Sequence, residues 1–179
     1  MKPNPIRAAA LAAIATFGLA SAAHAEPGRF PVNYFQVGIG GGLAATYLSE
    51  ENQGTTSLMA GYRFSPYWAV QAVGFQVNSV AHQPSTPGAP YYDFERFWGV
   101  QLVGFIPCTP YWDIYGEIGG GQAHLSSATP GAGSQDKADA IAGAGIRWQM
   151  TDHFAMSLGA SRLWETRVTN GTLRAEFNF

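Results

Sequence analysis

The sequence predicts an all-β fold, an eight-stranded antiparallel up-and-down transmembrane β-barrel, and three observations predict it. Eight successive segments alternate apolar with small or polar residues at period two. The connections between those segments alternate short and long. Charged residues make up 12% of the chain, against about 25% in an ordinary soluble domain, while glycine and aromatics are plentiful. A barrel in lipid accounts for all three, because alternate residues face the lipid and only the others need be small or polar.

The first 25 residues read as an export signal. Lys2 and Arg7 give a positive start, Ala8 to Ala23 form an apolar run, and Ala23-His24-Ala25 supplies a small-x-small cleavage pattern. The apolar run of 16 residues falls short of the roughly 20 that a spanning helix needs, which disfavours an uncleaved anchor. The expected division is a signal peptide over 1–25 and a barrel domain over 26–179. Lys2 and Arg7 leave with the signal, so eight Lys/Arg remain against twelve Asp/Glu, a formal charge of −4. No concentrated basic face is present for nucleic acid. Cys108 is the only cysteine, which excludes an internal disulfide and CxxC zinc sites. No cofactor and no metal site are expected.

The segments follow in order, each with one apolar face and one small or polar face. Phe35, Val37, Ile39, Leu43 and Ala45 alternate with Gln36, Gly38, Gly40, Gly42 and Thr46. Leu58, Ala60, Tyr62 and Phe64 alternate with Ser57, Gly61 and Arg63. Val73, Phe75 and Val77 alternate with Gly74, Gln76 and Asn78, and Trp98, Val100 and Leu102 with Gly99 and Gln101. The fifth segment sets Ile114 and Ile118 opposite Asp113, Glu117 and Gly119. The sixth sets Ala138, Ala140, Ala142, Ala144, Ile146 and Trp148 opposite Asp139, Gly143, Gly145 and Arg147. In the seventh, Phe154, Met156, Leu158 and Ala160 face away from Ala155, Ser157, Gly159 and Ser161. The eighth sets Leu173, Ala175, Phe177 and Phe179 against Thr172, Arg174, Glu176 and Asn178. The large residues share one face and the glycines and lone charges the other, so the barrel is inside-out relative to a soluble sandwich or lipocalin-like barrel.

Tight turns are expected at Ser65-Pro66-Tyr67, Pro107-Cys108-Thr109-Pro110 and Thr151-Asp152-His153. Longer loops are expected at Ser49–Gly54, Ala81–Tyr92, Ser126–Gln135 and Thr166–Gly171. Short turns at one end and longer loops at the other match a barrel of a Gram-negative outer membrane, with turns periplasmic and loops outside. Tyr67, Trp68, Tyr111, Trp112, Trp148 and Phe154 flank the turns and fit an interfacial aromatic girdle.

Gly61-Tyr62-Arg63-Phe64-Ser65-Pro66-Tyr67, the run Trp112 to Gly121, and Gly143-Ala144-Gly145-Ile146-Arg147-Trp148 followed by Thr151-Asp152 resemble the transmembrane domain of the OmpA-like small outer-membrane barrels. The resemblance implies an outer-membrane location among lipid and lipopolysaccharide, a structural or surface-interaction role, and an extracellular ligand met through the loops. Leu173, Ala175, Phe177 and Phe179 resemble the C-terminal signal that the outer-membrane assembly machinery reads. The sequence closes on Phe179 without the peptidoglycan-binding domain of OmpA itself, so a tie to the cell wall is not expected.

Arg63, Glu117, Asp139, Arg147, Arg174 and Glu176 fall on the inward face. Charges enclosed there must pair or be hydrated, and a network centred on Glu117, with Arg63 or Arg147, is expected. It is expected to act as a polar plug, with a narrow gated channel as the remaining alternative, because eight strands leave a lumen that side chains fill. A catalytic alternative rests on His124-Leu125-Ser126, which puts a base and a nucleophile on the lipid-facing parity of the fifth segment. The pair resembles the site of lipid A deacylases, although that family has an asparagine after the serine, where this chain has Ser127, and a glutamate shortly beyond. Asp136 or Asp139 would have to serve as the orienting acid. The expectation is a barrel without catalysis.

Overall fold

The computed structural model describes residues 32–45, 53–77, 92–127 and 133–179. Eight strands run in chain order: β1 Tyr34–Ala45, β2 Gln53–Arg63, β3 Trp68–Val77, β4 Tyr92–Thr109, β5 Trp112–Ser127, β6 Gln135–Gln149, β7 Phe154–Leu163 and β8 Thr169–Asn178. Each pairs antiparallel with the next, and β8 pairs with β1, so the sheet closes. Closure leaves no sheet edge with unpaired backbone groups, the condition for strands to cross a bilayer. The expected signal, residues 1–25, and most of three expected loops lie outside the described residues.

The three turns at one end share a mechanism. Ser65 Oγ accepts from Tyr67 N at 3.2 Å. Thr109 Oγ1 accepts from Tyr111 N at 3.2 Å and Trp112 N at 3.1 Å. Thr151 Oγ1 accepts from His153 N and Phe154 N. A hydroxyl two or three residues back satisfies N–H groups that the ladder leaves over, which is why Ser and Thr sit there. One expected turn is narrower than its sequence suggested. β4 runs on through Pro107 to Thr109, and the register shift between Pro107 and Thr109 absorbs the proline that cannot donate to the ladder.

At the opposite end, the expected Thr166–Gly171 loop is also shorter, because β8 begins at Thr169. Leu163 N donates to Val168 O at 2.8 Å and Arg167 takes a left-handed φ of 58°, so the chain reverses over residues 164–168.

The outward face is apolar along its middle. Phe35, Ile39, Leu58, Trp98, Val100, Ile118, Leu158 and Leu173 are all exposed. On β5 the outward residues Trp112, Ile114, Gly116, Ile118 and Gly120 precede Gln122. At strand rise and barrel tilt they cover roughly 20–25 Å, the height of an outer-membrane apolar band. Trp112 and Trp148 stack at 5.4 Å beside the turns. Leu173, Phe177 and Phe179 are exposed on the same face, and Ala175 lies half-buried between them.

One strand faces the other way from its expected orientation. Val73, Phe75 and Val77 are buried in the lumen, while Gly74 and Gln76 lie on the outer side. Trp98 of β4 explains the exchange: its ring covers Gly74 where a side chain would otherwise stand. The lipid face of β3 is thus completed by a neighbour's aromatic, and its own large residues fill the lumen.

Candidate functional site

Two polar clusters have the geometry to act, one inside the lumen near the turns and one on the outer rim near the loops.

Inside, the charges form a chain that crosses the barrel. Arg63 Nη1 of β2 lies 3.3 Å from Asp113 Oδ2 of β5. Arg147 Nη1 of β6 lies 3.5 Å from the same oxygen, and Arg147 Nε lies 2.7 Å from Glu176 Oε2 of β8. Ser157 Oγ donates to the other Glu176 oxygen at 2.6 Å. Arg63 also donates to the carbonyls of Ser65 and Pro66 and stacks over the Phe105 ring at 4.0 Å. Both guanidiniums are buried, Arg63 completely. Such groups persist only because each is paired and hydrogen-bonded.

This corrects the expected pairing. Asp113, not Glu117, joins Arg63 to Arg147. The reason is depth: Asp113 lies directly opposite Arg147 in the β5–β6 register, whereas Glu117 lies opposite Gly143. Arg63 closes β2, and Asp113 and Arg147 lie within three residues of their strand ends, so all three share the turn-end level. Counting from the turns would have found Asp113 in the sequence. Glu117 instead accepts from Gln101 Nε2 at 2.8 Å, and Arg174 is the cation whose field reaches it. Gly143 and Gly40 provide the room. A Cβ on Gly143 would meet Glu117 Oε1 at 2.7 Å, and one on Gly40 would meet Arg174 Cγ at 2.6 Å.

Asp139 is inward but, among the described residues, belongs to no charge chain. Its carboxylate accepts from the backbone N–H groups of Trp164, Glu165 and Thr166 at 2.8–2.9 Å and from Thr166 Oγ1 at 2.6 Å. It holds the β7–β8 reversal in place.

The loop half of the lumen holds an apolar cluster beside a small hydrogen-bonded group, in which Thr55 Oγ1 donates to Asn170 Oδ1 and Asn170 Nδ2 to Thr172 Oγ1. Phe75 packs at 5.6 Å from Phe94 and 5.5 Å from Phe97, and Met59, Leu125, Ile141, Leu163 and Val168 close around them.

On the outer rim, His124 Nδ1 lies 2.6 Å from Asp136 Oδ1, and Nε2 lies 3.6 Å from Glu95 Oε2. Ser126 is on the same outer face, opposite Asp93. The structure therefore brings the expected base together with an acid directly across the β5–β6 ladder. It turns the second ring nitrogen toward Glu95. Asp139, the other acid considered, is on the lumen side. Among the described residues, no group of three or more His, Cys, Asp or Glu is arranged to hold a metal ion. Cys108 is exposed at the turn end.

Residues 9–179 match the family model described as the outer membrane protein beta-barrel domain. No curated protein matches the sequence. Among solved structures, the chain is similar to Ail, the attachment invasion locus protein of Yersinia pestis, at 19% identity and a TM-score of 0.56, over 83% of this chain and 100% of that one. A second Ail structure, in complex with the heparin analogue sucrose octasulfate, matches at 18% identity and a TM-score of 0.56, over 82% and 97%. The N-terminal β-barrel domain of Pseudomonas aeruginosa OprF matches at 15% identity and 0.59, over 80% and 97%. Neisserial surface protein A matches at 17% identity and 0.53, over 81% and 94%. These likenesses establish a shared fold.

Proposed function

Because the chain belongs to the outer membrane protein beta-barrel domain family, we propose that it is a closed, non-catalytic barrel with a structural or surface-interaction role, its loop end outside the cell and its turn end in the periplasm. The lumen carries this reading. One half is filled by Phe75, Phe94, Phe97 and their apolar neighbours, and the other is crossed by the chain from Arg63 through Asp113 and Arg147 to Glu176. A conduit would need both to open, against tight packing in one half and paired buried charge in the other. Residues 1–25 act as a removed export signal, and Leu173, Ala175, Phe177 and Phe179 present the alternate apolar side chains that the assembly machinery reads. Function then lies in what the loops meet. The Ail complex with a heparin analogue is a precedent on this fold for an extracellular ligand.

The test is solute flux. Liposomes holding the purified protein are expected to pass small sugars no faster than empty liposomes; a clear increase would overturn the plugged reading. Orientation has its own probe in Cys108, the only cysteine. A membrane-impermeant maleimide should leave it unlabelled on intact cells and label it after the outer membrane is opened, and labelling of intact cells would reverse the assignment of the two ends.

The esterase alternative has one observation in its favour, the 2.6 Å contact between His124 and Asp136. A serine esterase also needs the second ring nitrogen on the serine hydroxyl, and here that nitrogen faces Glu95. Lipid A from cells expressing wild-type protein or Ser126→Ala should have the same acyl composition. Loss of an acyl chain with wild type alone would establish catalysis.

A further inference from the structure

The strands are of unequal length. β4, β5 and β6 hold 18, 16 and 15 residues, against 10 each in β7 and β8. β6 pairs with β7 from Gln149↔Ala155 at the turn end only as far as Ile141↔Leu163. Its residues Gln135 to Ala140 run on past the end of β7, still paired with β5 on their other side. The upper part of β6 is therefore the edge of a sheet within a barrel that is closed below.

Asp139 is what ends β7 there. Its carboxylate accepts from the N–H groups of Trp164, Glu165 and Thr166, so the chain turns toward β8 directly after Leu163. Trp164 N also donates to Ala140 O at 3.1 Å, which places the Ala140 backbone groups on the β7 side. Alternate residues of a strand point their N–H and C=O to the same side. Asp136 and Ala138 thus offer theirs to the open side, and Gln135, Asp136, Lys137 and Ala138 are all exposed. Neither proline nor bulge interrupts this stretch. An edge left uncovered among the described residues is a template for another strand.

Charge is the remaining way to block an edge, and here most of it is engaged elsewhere. Asp136 Oδ1 lies 2.6 Å from His124 Nδ1 across the ladder, and His124 Nε2 faces Glu95. Glu95 owes its place to a β-bulge at the register shift between Phe94 and Arg96. Phe94 and Phe97 are both buried in the lumen, so Glu95 and Arg96 lie together on the outer side, on β4, two strands from the edge. Lys137 is left on the edge itself, on the side of β6 that faces over the lumen mouth. Among the described residues it has no hydrogen-bond or ion-pair partner.

We propose that the upper edge of β6 receives an extended segment of a partner protein as an added antiparallel strand. The segment bonds to the N–H and C=O groups of Asp136 and Ala138 and carries a carboxylate opposite Lys137. Donor and acceptor pairs recurring along one line at about 7 Å match another backbone. The methyl group of Ala138 lets that backbone approach. A cross-strand pair with Lys137 then selects an acidic segment. The inference deepens the surface-interaction role proposed above and rests on the loop end facing outward.

The test uses the barrel in lipid nanodiscs and a synthetic peptide of alternating Thr and Val with a central Glu. One control peptide is N-methylated on its ladder-facing amides, and another has Lys in place of Glu. By NMR, the Asp136 and Ala138 amides are expected to exchange with solvent freely in the barrel alone and to become protected when the Glu peptide is added. N-methylation should weaken binding by about tenfold or more. Ala138→Pro removes one edge donor that points away from β5 and should weaken binding by about tenfold. Lys137→Glu should weaken the Glu peptide by about threefold and reverse the preference toward the Lys peptide. That variant carries the test if Ala138→Pro does not assemble. Amides already protected in the barrel alone, equal binding of the N-methylated peptide, or an unchanged preference in Lys137→Glu would overturn the proposal. Labelled Cys108 on intact cells would sink the orientation, whereas unlabelled Cys108 with no bound peptide would sink the edge alone.

Discussion

The two halves of the lumen solve the same packing problem with opposite chemistry. Near the loops, Phe75, Phe94 and Phe97 fill the space with rings. Near the turns, Arg63, Asp113, Arg147 and Glu176 fill it with paired charge. Ring packing is non-directional and degrades gradually when a side chain shrinks. Paired charge is directional, and removing one member leaves the others buried without compensation. The barrel is thus forgiving toward the loops and intolerant toward the turns, the end where its strands are joined most tightly.

That contrast can be broken most severely at Asp113. Asp113→Ala leaves two buried guanidiniums facing each other and should cost about 3–5 kcal/mol of stability, read from urea unfolding in lipid vesicles. A cost under about 1 kcal/mol would mean that the chain of charge is hydrated. Phe97→Ala probes the other half. It should cost about 3 kcal/mol, the low end for a fully buried ring, since Phe75 and Phe94 can relax into the gap. The same substitution should leave solute flux at the empty-liposome level, because the ionic chain still crosses the lumen. The smallest effect is expected from Asp139→Ala, which frees three N–H groups near the rim to find water and should cost about 1–2 kcal/mol. Its clearer signature is faster protease cleavage within residues 164–168; unchanged cleavage would mean that the backbone bond from Leu163 to Val168 holds the reversal by itself.

Much of the barrel was legible in the residues because β-structure has period two. The alternation of Phe35, Val37 and Ile39 with Gln36 and Gly38 marks a strand with two unlike faces, and eight such stretches with alternating short and long connections give the strand count. The six inward charges could be placed on their face by the same parity. Their partners could not, because partnership depends on depth. Asp113 shares the inward parity of Glu117, on which the network is expected to centre, and only the register against Arg147 separates them. Asp139 was legible as inward, but its real partners are backbone groups at 164–166, which carry no sequence signal.

The amino-acid sequence by itself determined that the chain forms strands, how many, and that each has a polar and an apolar side, since period and turn chemistry are local properties. Only the closed sheet decided which side of β3 looks inward, which charges meet across the lumen, and that Glu95 and Arg96 both reach the outer rim. Those outcomes depend on strands that are not neighbours in the sheet, on a tryptophan of β4 covering a glycine of β3, and on a one-residue bulge. None of these leaves a periodic trace in the chain, because each is set by how the closed barrel packs and not by what any strand prefers alone.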